Sequence, residues 1–514
     1  MKKILVWFFV LIFSFITFSY IPPKAFAATI NVSPGDDVQA AVAAANDGDI
    51  ILFAPGTYDE ATTINPTVDN LTLRGSGAAV TTISSDVNAF TINTDVKNLT
   101  IEGFTITSVG GDDGIYCQVL APEEPATGTI VNNIITSNQV DVNLDGIYLE
   151  GGCGFNIDNN TINYNLVAGI YIEDPTILSN IHTNRITNNL YGIINDSSDI
   201  LNPANISIYN NNINENFAGV MLDTANASIY GNSIYGNIGP TIGASGLTAL
   251  GGSVQIYSNK IYQNTNIMGG GLFVIGIDPG SNIYNNYISG NSSTVTTGGG
   301  LVSAINNAPM FNNTIVNNTA AGGDFEFNDQ AIETIQFNGE RGLAFQEWLN
   351  SFETRFEDKL AEANQINNYF YAGSGNVGGG VLIDHGPAPA PAFYNNIVWG
   401  NTDDIYDVAG DLSVTYSDVE EGYAGTGNIQ SDPKLTGYVL GSDSPCIDAG
   451  TSTGAPAYDI DSITRPQRNG IDIGAYELPN PEAVATLPAT GLTNQNVFVK
   501  ISAFLSSVWQ RFIH

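Results

Sequence analysis

The chain has 514 residues and a formal net charge of −36, with 51 Asp and Glu against 15 Lys and Arg. This balance excludes nucleic acid and anionic membrane surfaces as main partners, because both are bound through clustered Lys and Arg. At 43% hydrophobic residues the chain has enough apolar material for a large core. Three cysteines are too few for a disulfide scaffold.

Residues 1–27 have the organisation of a secretory signal peptide. Lys2 and Lys3 precede an apolar run, and Ala25 and Ala27 supply the small residues of a cleavage site. The alternative is an N-terminal membrane anchor. We therefore predict an exported protein, secreted, held at the cell surface or attached to the cell wall. In an oxidising compartment Cys117 and Cys153 could pair, although the sequence alone leaves this open.

Residues 37–42 read as a short helix, and residues 49–53 read as a strand after it. The central part of the chain then repeats the pattern Asn-x-(Ile/Val)-x-x-Asn. Its first Asn falls at Asn133, Asn160, Asn184, Asn211, Asn232, Asn259, Asn286, Asn313 and Asn396. A period of this length predicts a solenoid. The alternation of apolar and polar residues around each Asn predicts short strands, with Asn-Asn pairs at tight corners between them.

This pattern resembles the pectate-lyase-like right-handed β-helix superfamily. The resemblance implies an all-β fold, a single-stranded right-handed parallel β-helix, which we place at residues 28–415. In that superfamily a helix like the one at residues 37–42 covers the N-terminal end of the core. A solenoid needs such a capping helix because its terminal coil has no neighbour.

The last step of the repeat is about 56 residues longer than the usual one, which predicts an insertion at about 324–377. Its apolar residues recur at a spacing of three to four and predict an amphipathic helix. They are Phe345, Trp348, Leu349, Phe352, Phe356 and Leu360. Two interpretations remain open: the helix packs on the outer wall of the coils, or it covers a groove.

Residues 416–478 contain the segments Ser444-Pro445-Cys446 and Asp472-Ile473-Gly474. With the motifs around them they resemble the choice-of-anchor Q domain, which terminates β-helices of exported bacterial proteins. Residues 479–514 form a linker, a sorting motif and a tail. The motif consists of Leu487, Pro488, Ala489, Thr490 and Gly491. It resembles the LPxTG signal, which implies a sortase as a partner. The following apolar span is short and interrupted, so a plain amphipathic tail is the alternative.

Four carboxylates occupy equivalent positions in successive coils, four residues after a repeated Gly. They are Glu150, Glu173, Asp196 and Asp223, and Leu250, Ile275, Ala304 and then Asp384 follow them at the same position. Stacking would place them about 4.8 Å apart and facing outward. Such carboxylates raise each other's pKa, so the four are candidate catalytic acids and bases for glycan cleavage. Glu173, Asp174 and Asp196 are candidate Ca²⁺ ligands. A solvated acidic surface is the third interpretation.

Tyrosines form two further columns. Tyr148 and Tyr171 lie two residues after the repeated Gly. His182, Tyr209, Tyr230, Tyr257, Tyr284, Phe311 and Tyr394 lie two residues before the repeated Asn. Stacked rings stabilise neighbouring strands, and flat rings also pack on pyranose faces. Tyr148, Tyr171, Tyr209, Tyr230, Tyr257 and Tyr284 are therefore candidate substrate-binding residues.

We predict a monomeric, exported, cell-surface protein that binds or processes extracellular polysaccharide along one face of the solenoid, with Ca²⁺ as the candidate cofactor. A glycan-cleaving hydrolase or pectate-lyase-like lyase and a non-catalytic adhesin are the alternatives. The lyase mechanism needs a Lys or Arg base near the Ca²⁺-binding carboxylates. Between Asn98 and Glu340 the only such bases are Arg185 and Lys260, on another strand of the repeat.

Overall fold

The computed structural model of the protein describes residues 27–60, 63–108, 113–119, 124–136, 145–197, 204–239, 243–266, 269–294, 298–321 and 378–480. The predicted signal peptide, the helix of the insertion and the sorting motif lie outside these residues. In the described ranges no helix has the length and hydropathy that crossing a membrane requires.

Three long parallel sheets of 14, 13 and 11 strands run along the solenoid, and each of the central coils contributes one strand to each sheet. Sheet 1 contains Thr29–Val32, Ile50–Phe53, Thr72–Gly75, Leu99–Glu102, Ala126–Val131, Cys153–Asp158, Ser179–His182, Ala204–Tyr209, Ala225–Tyr230, Val254–Tyr257, Asn282–Tyr284, Met310–Phe311, Phe393–Tyr394 and Val414–Thr415. Sheet 2 contains Gly56–Glu60, Thr81–Ser85, Thr105–Ser108, Ile134–Thr136, Thr161–Asn163, Arg185–Thr187, Asn212–Asn214, Ser233–Tyr235, Lys260–Tyr262, Tyr287–Ser289, Thr314–Val316, Ile397–Trp399 and Asp418–Val419.

Sheet 3 contains Phe90–Ile92, Ile115–Val119, Asp145–Gly151, Ala168–Glu173, Tyr191–Asp196, Ala218–Asp223, Leu247–Leu250, Leu272–Ile275, Leu301–Ala304, Val381–Asp384 and Ile405–Asp407. A short sheet is made of Thr265–Asn266, Ser292–Ser293 and Thr319–Ala320, and Leu435–Thr436 pairs antiparallel with Val439–Leu440. The predicted parallel β-solenoid is therefore confirmed.

The repeated Asn side chains hold successive coils together from the inside of a corner. The residue before each repeated Asn turns the chain with a left-handed backbone, as Asn210 does at φ 56°. The repeated Asn itself is buried: the side-chain amide of Asn184 donates to Ile157 O at 2.8 Å and to Asn211 Oδ1 at 3.0 Å. A second buried ladder lies five residues later in each coil: Asn165, Asn189, Asn216, Asn237, Asn264, Asn291, Asn318 and Asn401. Asn-Asn pairs therefore serve two tasks, a turn and a hydrogen-bonded stack.

One α-helix, Val38–Ala44, lies at the predicted N-terminal position. Asp37 caps it by accepting a hydrogen bond from the Ala40 N–H at 2.8 Å. Val38 and Val42 are fully buried and belong to the interior apolar core, which continues through the coils. The helix contacts the first strand of sheet 1, Thr29–Val32.

The coils on either side of the predicted insertion stack directly on each other. Asn313 donates its N–H to Asn396 Oδ1 at 2.9 Å across 83 residues, as it would to the next coil of an uninterrupted repeat. In sheet 3, Leu301–Ala304 pairs with Val381–Asp384. The flanking coils are thus continuous with each other, and residues 322–377 are not needed to complete them.

The chain after Val419 folds back along the outer side of sheet 2. Lys260 Nζ donates to Tyr438 Oη at 2.8 Å, and the Ala475 N–H donates to Thr314 Oγ1 at 3.0 Å. Arg465 and Glu477 form an ion pair of 2.9 Å with side chains 0% and 1% exposed. Residues 416–480 therefore cover the side of the last coils and do not merely close their end.

A disulfide joins Cys117 of sheet 3 to Cys153 of sheet 1. Both residues are fully buried in the core, so the bond crosses the interior between neighbouring coils.

Candidate functional site

The predicted carboxylate column lies on the outward side of sheet 3. Gln118 pairs in register with Glu150, Glu150 with Glu173, and Glu173 with Asp196. Asp223 follows in the next strand and pairs with Leu250, where the column becomes apolar. One wall therefore holds all four predicted acids.

A tyrosine column runs beside these carboxylates on the same side of sheet 3. Tyr116, Tyr148 and Tyr171 pair in register, with ring centroids 5.4 Å apart for the first pair and 5.1 Å for the second. Asp113 and Asp145 lie near the N-terminal ends of these strands. We call this surface the acid–tyrosine face. It consists of Asp113, Tyr116, Gln118, Asp145, Tyr148, Glu150, Tyr171, Glu173 and Asp196.

Hydrogen bonds connect the columns diagonally from one coil to the next. The Tyr148 hydroxyl donates to Glu173 Oε2, and the Tyr171 hydroxyl donates to Asp196 Oδ2 at 3.3 Å. Gln118 Nε2 donates to Glu150 Oε2 at 2.6 Å. The side chains that point outward from this part of the sheet are therefore oriented by their neighbours.

Glu173 is the electrostatic centre of this face. Burial raises the pKa of its carboxyl group, and the charges of Glu150, Asp196 and Asp174 raise it further, while the hydrogen bond from Tyr148 lowers it. Burial and the neighbouring Glu173 also raise the pKa of the Tyr148 hydroxyl. Glu173 therefore binds its proton more tightly than an isolated Glu does, mainly because it is buried.

Asp145 is a second perturbed carboxyl that the sequence did not reveal. It is 5% exposed, its Oδ1 accepts a hydrogen bond from the Ala168 N–H at 2.7 Å, and its own N–H donates to Asp113 Oδ1 at 3.1 Å. Burial and the charge of Asp113 raise its pKa well above the usual value. The same column can be counted from Gly114, one coil before the first repeated Asn pattern, and this count reveals Tyr116 and Gln118. Asp145 immediately precedes the next repeated glycine, Gly146.

The far end of the carboxylate column is buried, although a solvated acidic surface was one interpretation of the sequence. Asp196 and Asp223 are 7% and 3% exposed, and Thr224 Oγ1 donates to Asp223 Oδ1 at 3.0 Å. They point away from the core, but the outer side of sheet 3 is covered from these coils onward. Glu150 and Glu173, which are half-buried, are the acids of the column that a ligand can reach.

The structure does not bring Glu173, Asp174 and Asp196 together as a Ca²⁺ site. Among the described residues, no three carboxylate, His or Cys side chains converge in the way that a metal ion requires. Asp174 lies just beyond the strand at φ 42°, and its N–H donates to the Asp196 backbone oxygen at 3.1 Å. The chain turns at this residue, which takes the Asp174 side chain out of the column.

The column of sheet 1 is an uninterrupted aromatic stack. Tyr209, Tyr230, Tyr257 and Tyr284 have ring centroids 4.9–5.0 Å apart and nearly parallel planes. Each ring therefore covers the faces of its neighbours, as expected for offset-stacked aromatic pairs. A pyranose cannot lie flat on these rings, so the predicted sugar packing at these four residues is corrected: only ring edges and hydroxyls remain available.

The two basic residues of the middle coils lie on sheet 2, away from the acid–tyrosine face. Arg185 begins the strand Arg185–Thr187, and Lys260 contacts Tyr438 and Asp461 of the C-terminal region, with Nζ 3.6 Å from Asp461 Oδ1. Among the described residues of the acid–tyrosine face, no Lys or Arg lies beside the carboxylates as a pectate-lyase mechanism requires.

Residues 58–234 match the family model described as the right handed beta helix region. The chain is also similar to the cell surface glycoprotein of Methanothermus fervidus, with 41% identity over 91 residues. This match covers 17% of the chain and 13% of the length of that relative. It is a similarity between segments of the two proteins.

Solved β-helix structures resemble the fold at low identity. The A-module of the mannuronan C-5 epimerase AlgE6 from Azotobacter vinelandii is 15% identical over 77% of this chain and 94% of its own, with a TM-score of 0.41. Pectate lyase Pel9A is 12% identical over 88% of this chain and 96% of its own, with a TM-score of 0.38. XylC in complex with xylose is 10% identical over 88% and 98%, with a TM-score of 0.44. These values carry no argument about activity.

Proposed function

We propose that this protein is exported to the cell surface and binds an extracellular polysaccharide along the acid–tyrosine face. The observation that carries the proposal is the diagonal pairing of Tyr148 with Glu173 and of Tyr171 with Asp196 across successive coils. Half-buried hydroxyl, amide and carboxylate groups then recur about every 4.8 Å along one wall. Such a row offers hydrogen bonds to several consecutive sugar units.

The charge of this face favours a neutral glycan over a polyuronate. Its ionisable groups are carboxyls and tyrosines, and the described basic residues of these coils lie on other walls. A polyanionic chain would meet repulsion at Glu150 and Glu173 without a cation to offset it. Among cleaving enzymes, this favours a hydrolase over a uronate lyase.

Glycoside hydrolysis is the second candidate function, favoured by the raised pKa of Glu173. A carboxyl whose pKa is raised holds its proton to higher pH and is better suited to protonate a leaving-group oxygen. Glu150 is its neighbour on the adjacent strand, at a strand spacing of about 4.8 Å, close to the ~5 Å carboxyl separation of retaining enzymes. In this candidate, Glu173 is the acid and Glu150 the nucleophile.

Export and surface attachment rest on the termini of the chain. Residues 1–27 would direct export, residues 28–415 form the β-helix unit, and residues 416–478 form a C-terminal unit of choice-of-anchor Q type. The LPATG motif within residues 479–514 would be joined to the wall by a sortase. The Cys117–Cys153 disulfide suits an oxidising location, and the similarity to a cell surface glycoprotein supports the same site of action.

The test is a panel of neutral and acidic polysaccharides assayed for both retention of the protein and release of reducing ends. We expect retention by a neutral glycan that weakens in Tyr148→Ala and Glu150→Gln. The matched control is Asp278→Asn, which removes an exposed carboxylate outside sheet 3. Equal loss in the control, or retention by polyuronates alone, would contradict the proposed face.

The same panel separates binding from cleavage. If the protein is a hydrolase, Glu173→Gln abolishes the release of reducing ends and leaves retention largely intact. Retention without product from the unaltered protein assigns an adhesin or structural role. Because the proposed face binds a neutral glycan through direct hydrogen bonds, removing Ca²⁺ with a chelator should leave retention unchanged.

A further inference from the structure

The outward side of sheet 3 changes from polar to apolar along the solenoid. In the column that begins with the tyrosines, Met221, Phe273, Val302 and Leu382 occupy later strands, with the buried Thr248 between Met221 and Phe273. In the carboxylate column, Leu250, Ile275 and Ala304 replace the acids in three successive strands, and Asp384 follows Ala304. The apolar residues of both columns belong to a hydrophobic cluster separate from the interior core. We call this surface the apolar face; it consists of Met221, Leu250, Phe273, Ile275, Val302, Ala304 and Leu382.

The apolar face is covered even though it points away from the coil interior. Phe273 and Val302 are 1% exposed, and Ile275 is 6% exposed. Glycine-containing turns cover the beginning of each strand: a Cβ added at Gly298 would lie 2.0 Å from the Val302 side chain. Leu250, Ile275 and Ala304 are the last residues of their strands, at the end opposite to these turns, and they too are buried.

The chain leaves and re-enters the described structure next to this face. It leaves after the strand Thr319–Ala320 and returns at Gly378, three residues before the sheet 3 strand Val381–Asp384. The Asn313–Asn396 hydrogen bond shows that the coils close without residues 322–377. The described residues on either side of this stretch therefore lie beside the apolar face, and the coils are complete without it.

The sequence of residues 324–377 supplies the complementary surface. Phe345, Trp348, Leu349, Phe352, Phe356 and Leu360 recur at helical spacing, with charged residues between them. Such a stripe is stable in water only when it packs against another apolar surface. We propose that residues 324–377 pack this stripe on the apolar face of sheet 3, as a permanent part of the outer wall beside the acid–tyrosine face.

The experiment uses the full chain with Trp7, Trp399 and Trp509 replaced by Phe, so that Trp348 is the single fluorophore. Phe273→Asp places a charge at the centre of the apolar face. We expect its Trp348 emission to shift to longer wavelength and acrylamide quenching to rise severalfold. Asn226→Asp, on the outward side of sheet 1, is the matched control and should change neither. Unchanged Trp348 fluorescence in Phe273→Asp would overturn the proposal.

A second variant keeps the test decisive if Phe273→Asp fails to fold. Replacing residues 324–377 by a short Gly-Ser linker should leave the far-ultraviolet signature of the coils intact and expose the apolar face to a hydrophobic dye. No gain in dye binding would overturn the proposal. Sedimentation of both variants tests the alternative that a second copy of the chain covers the face. In that case Phe273→Asp converts a dimer into monomers while the Trp348 fluorescence stays unchanged.

Discussion

The Asn ladder gives the sharpest quantitative prediction for this fold, because one substitution removes several buried hydrogen bonds at once. Asn259 is 0% exposed; its Nδ2 donates to Ile229 O at 2.8 Å and to Asn286 Oδ1 at 3.1 Å. Its Oδ1 accepts from the N–H and the side-chain amide of Asn232 at 3.1 and 3.0 Å. Asn259→Ala loses all four bonds and leaves the Asn232 N–H without that partner.

At about 1 kcal/mol net for each bond, with a further 1–3 kcal/mol for the orphaned donor, the cost is roughly 5–7 kcal/mol. Urea unfolding followed by circular dichroism measures this loss. Since each coil contacts mainly its neighbours, faster amide exchange should be concentrated in the coils around Asn259.

The matched control is Asn226→Ala, which truncates an outward-facing, half-buried Asn of sheet 1 and should cost under about 1 kcal/mol. A loss in Asn259→Ala no larger than in this control would refute the reasoning. So would exchange that accelerates equally along the whole solenoid, because the ladder would then not be a local coil-to-coil contact.

Three further predictions concern charge and covalent structure. Because the pKa of Glu173 is raised in the folded state, folding stability falls as pH rises from the ordinary value near 4.5 through the folded value; Glu173→Gln should flatten this part of a melting-temperature profile and be the more stable form at neutral pH. Reducing the Cys117–Cys153 bond, which spans 36 residues, should cost about 4 kcal/mol by loop entropy, seen in urea unfolding with and without reductant. Arg465→Met leaves Glu477 buried without its partner and should cost about 3–5 kcal/mol, seen as proteolysis of residues 416–480; adding Glu477→Gln should restore much of that loss.

The repeat predicted, from the sequence alone, the architecture and which residues of the site pair in successive coils. Equal coil lengths put Glu150, Glu173 and Asp196 in one column, because parallel strands of successive coils pair residue for residue. The same regularity predicted the Tyr209–Tyr284 stack and the stretch that is extra to the coil before Asn396. The pairing of Cys117 with Cys153, which the sequence left open, was decided by their meeting inside the core.

Accessibility and side-chain partners depended on groups far apart in the sequence. Asp196 and Asp223 occupy the predicted column, yet they are buried, because the outer side of sheet 3 is covered at those coils. The rings of Tyr230 and Tyr284 occupy both faces of the Tyr257 ring. The positions of the tyrosines in the sequence could not reveal this. The raised pKa of Asp145 depends on Asp113, one coil away.

The sequence by itself determined which residues share a wall of this protein, since the coil length is set by the local pattern of Asn, Gly and alternating apolar residues. Only the tertiary structure decided which of those residues a ligand can reach and which carboxyl of the column has a raised pKa. Both depend on what covers each wall and which charges lie across neighbouring coils. Glu173 carries the raised pKa because it is partly buried and because the charges of Glu150, Asp196 and Asp174 lie beside it, against the lowering by the hydrogen bond from Tyr148.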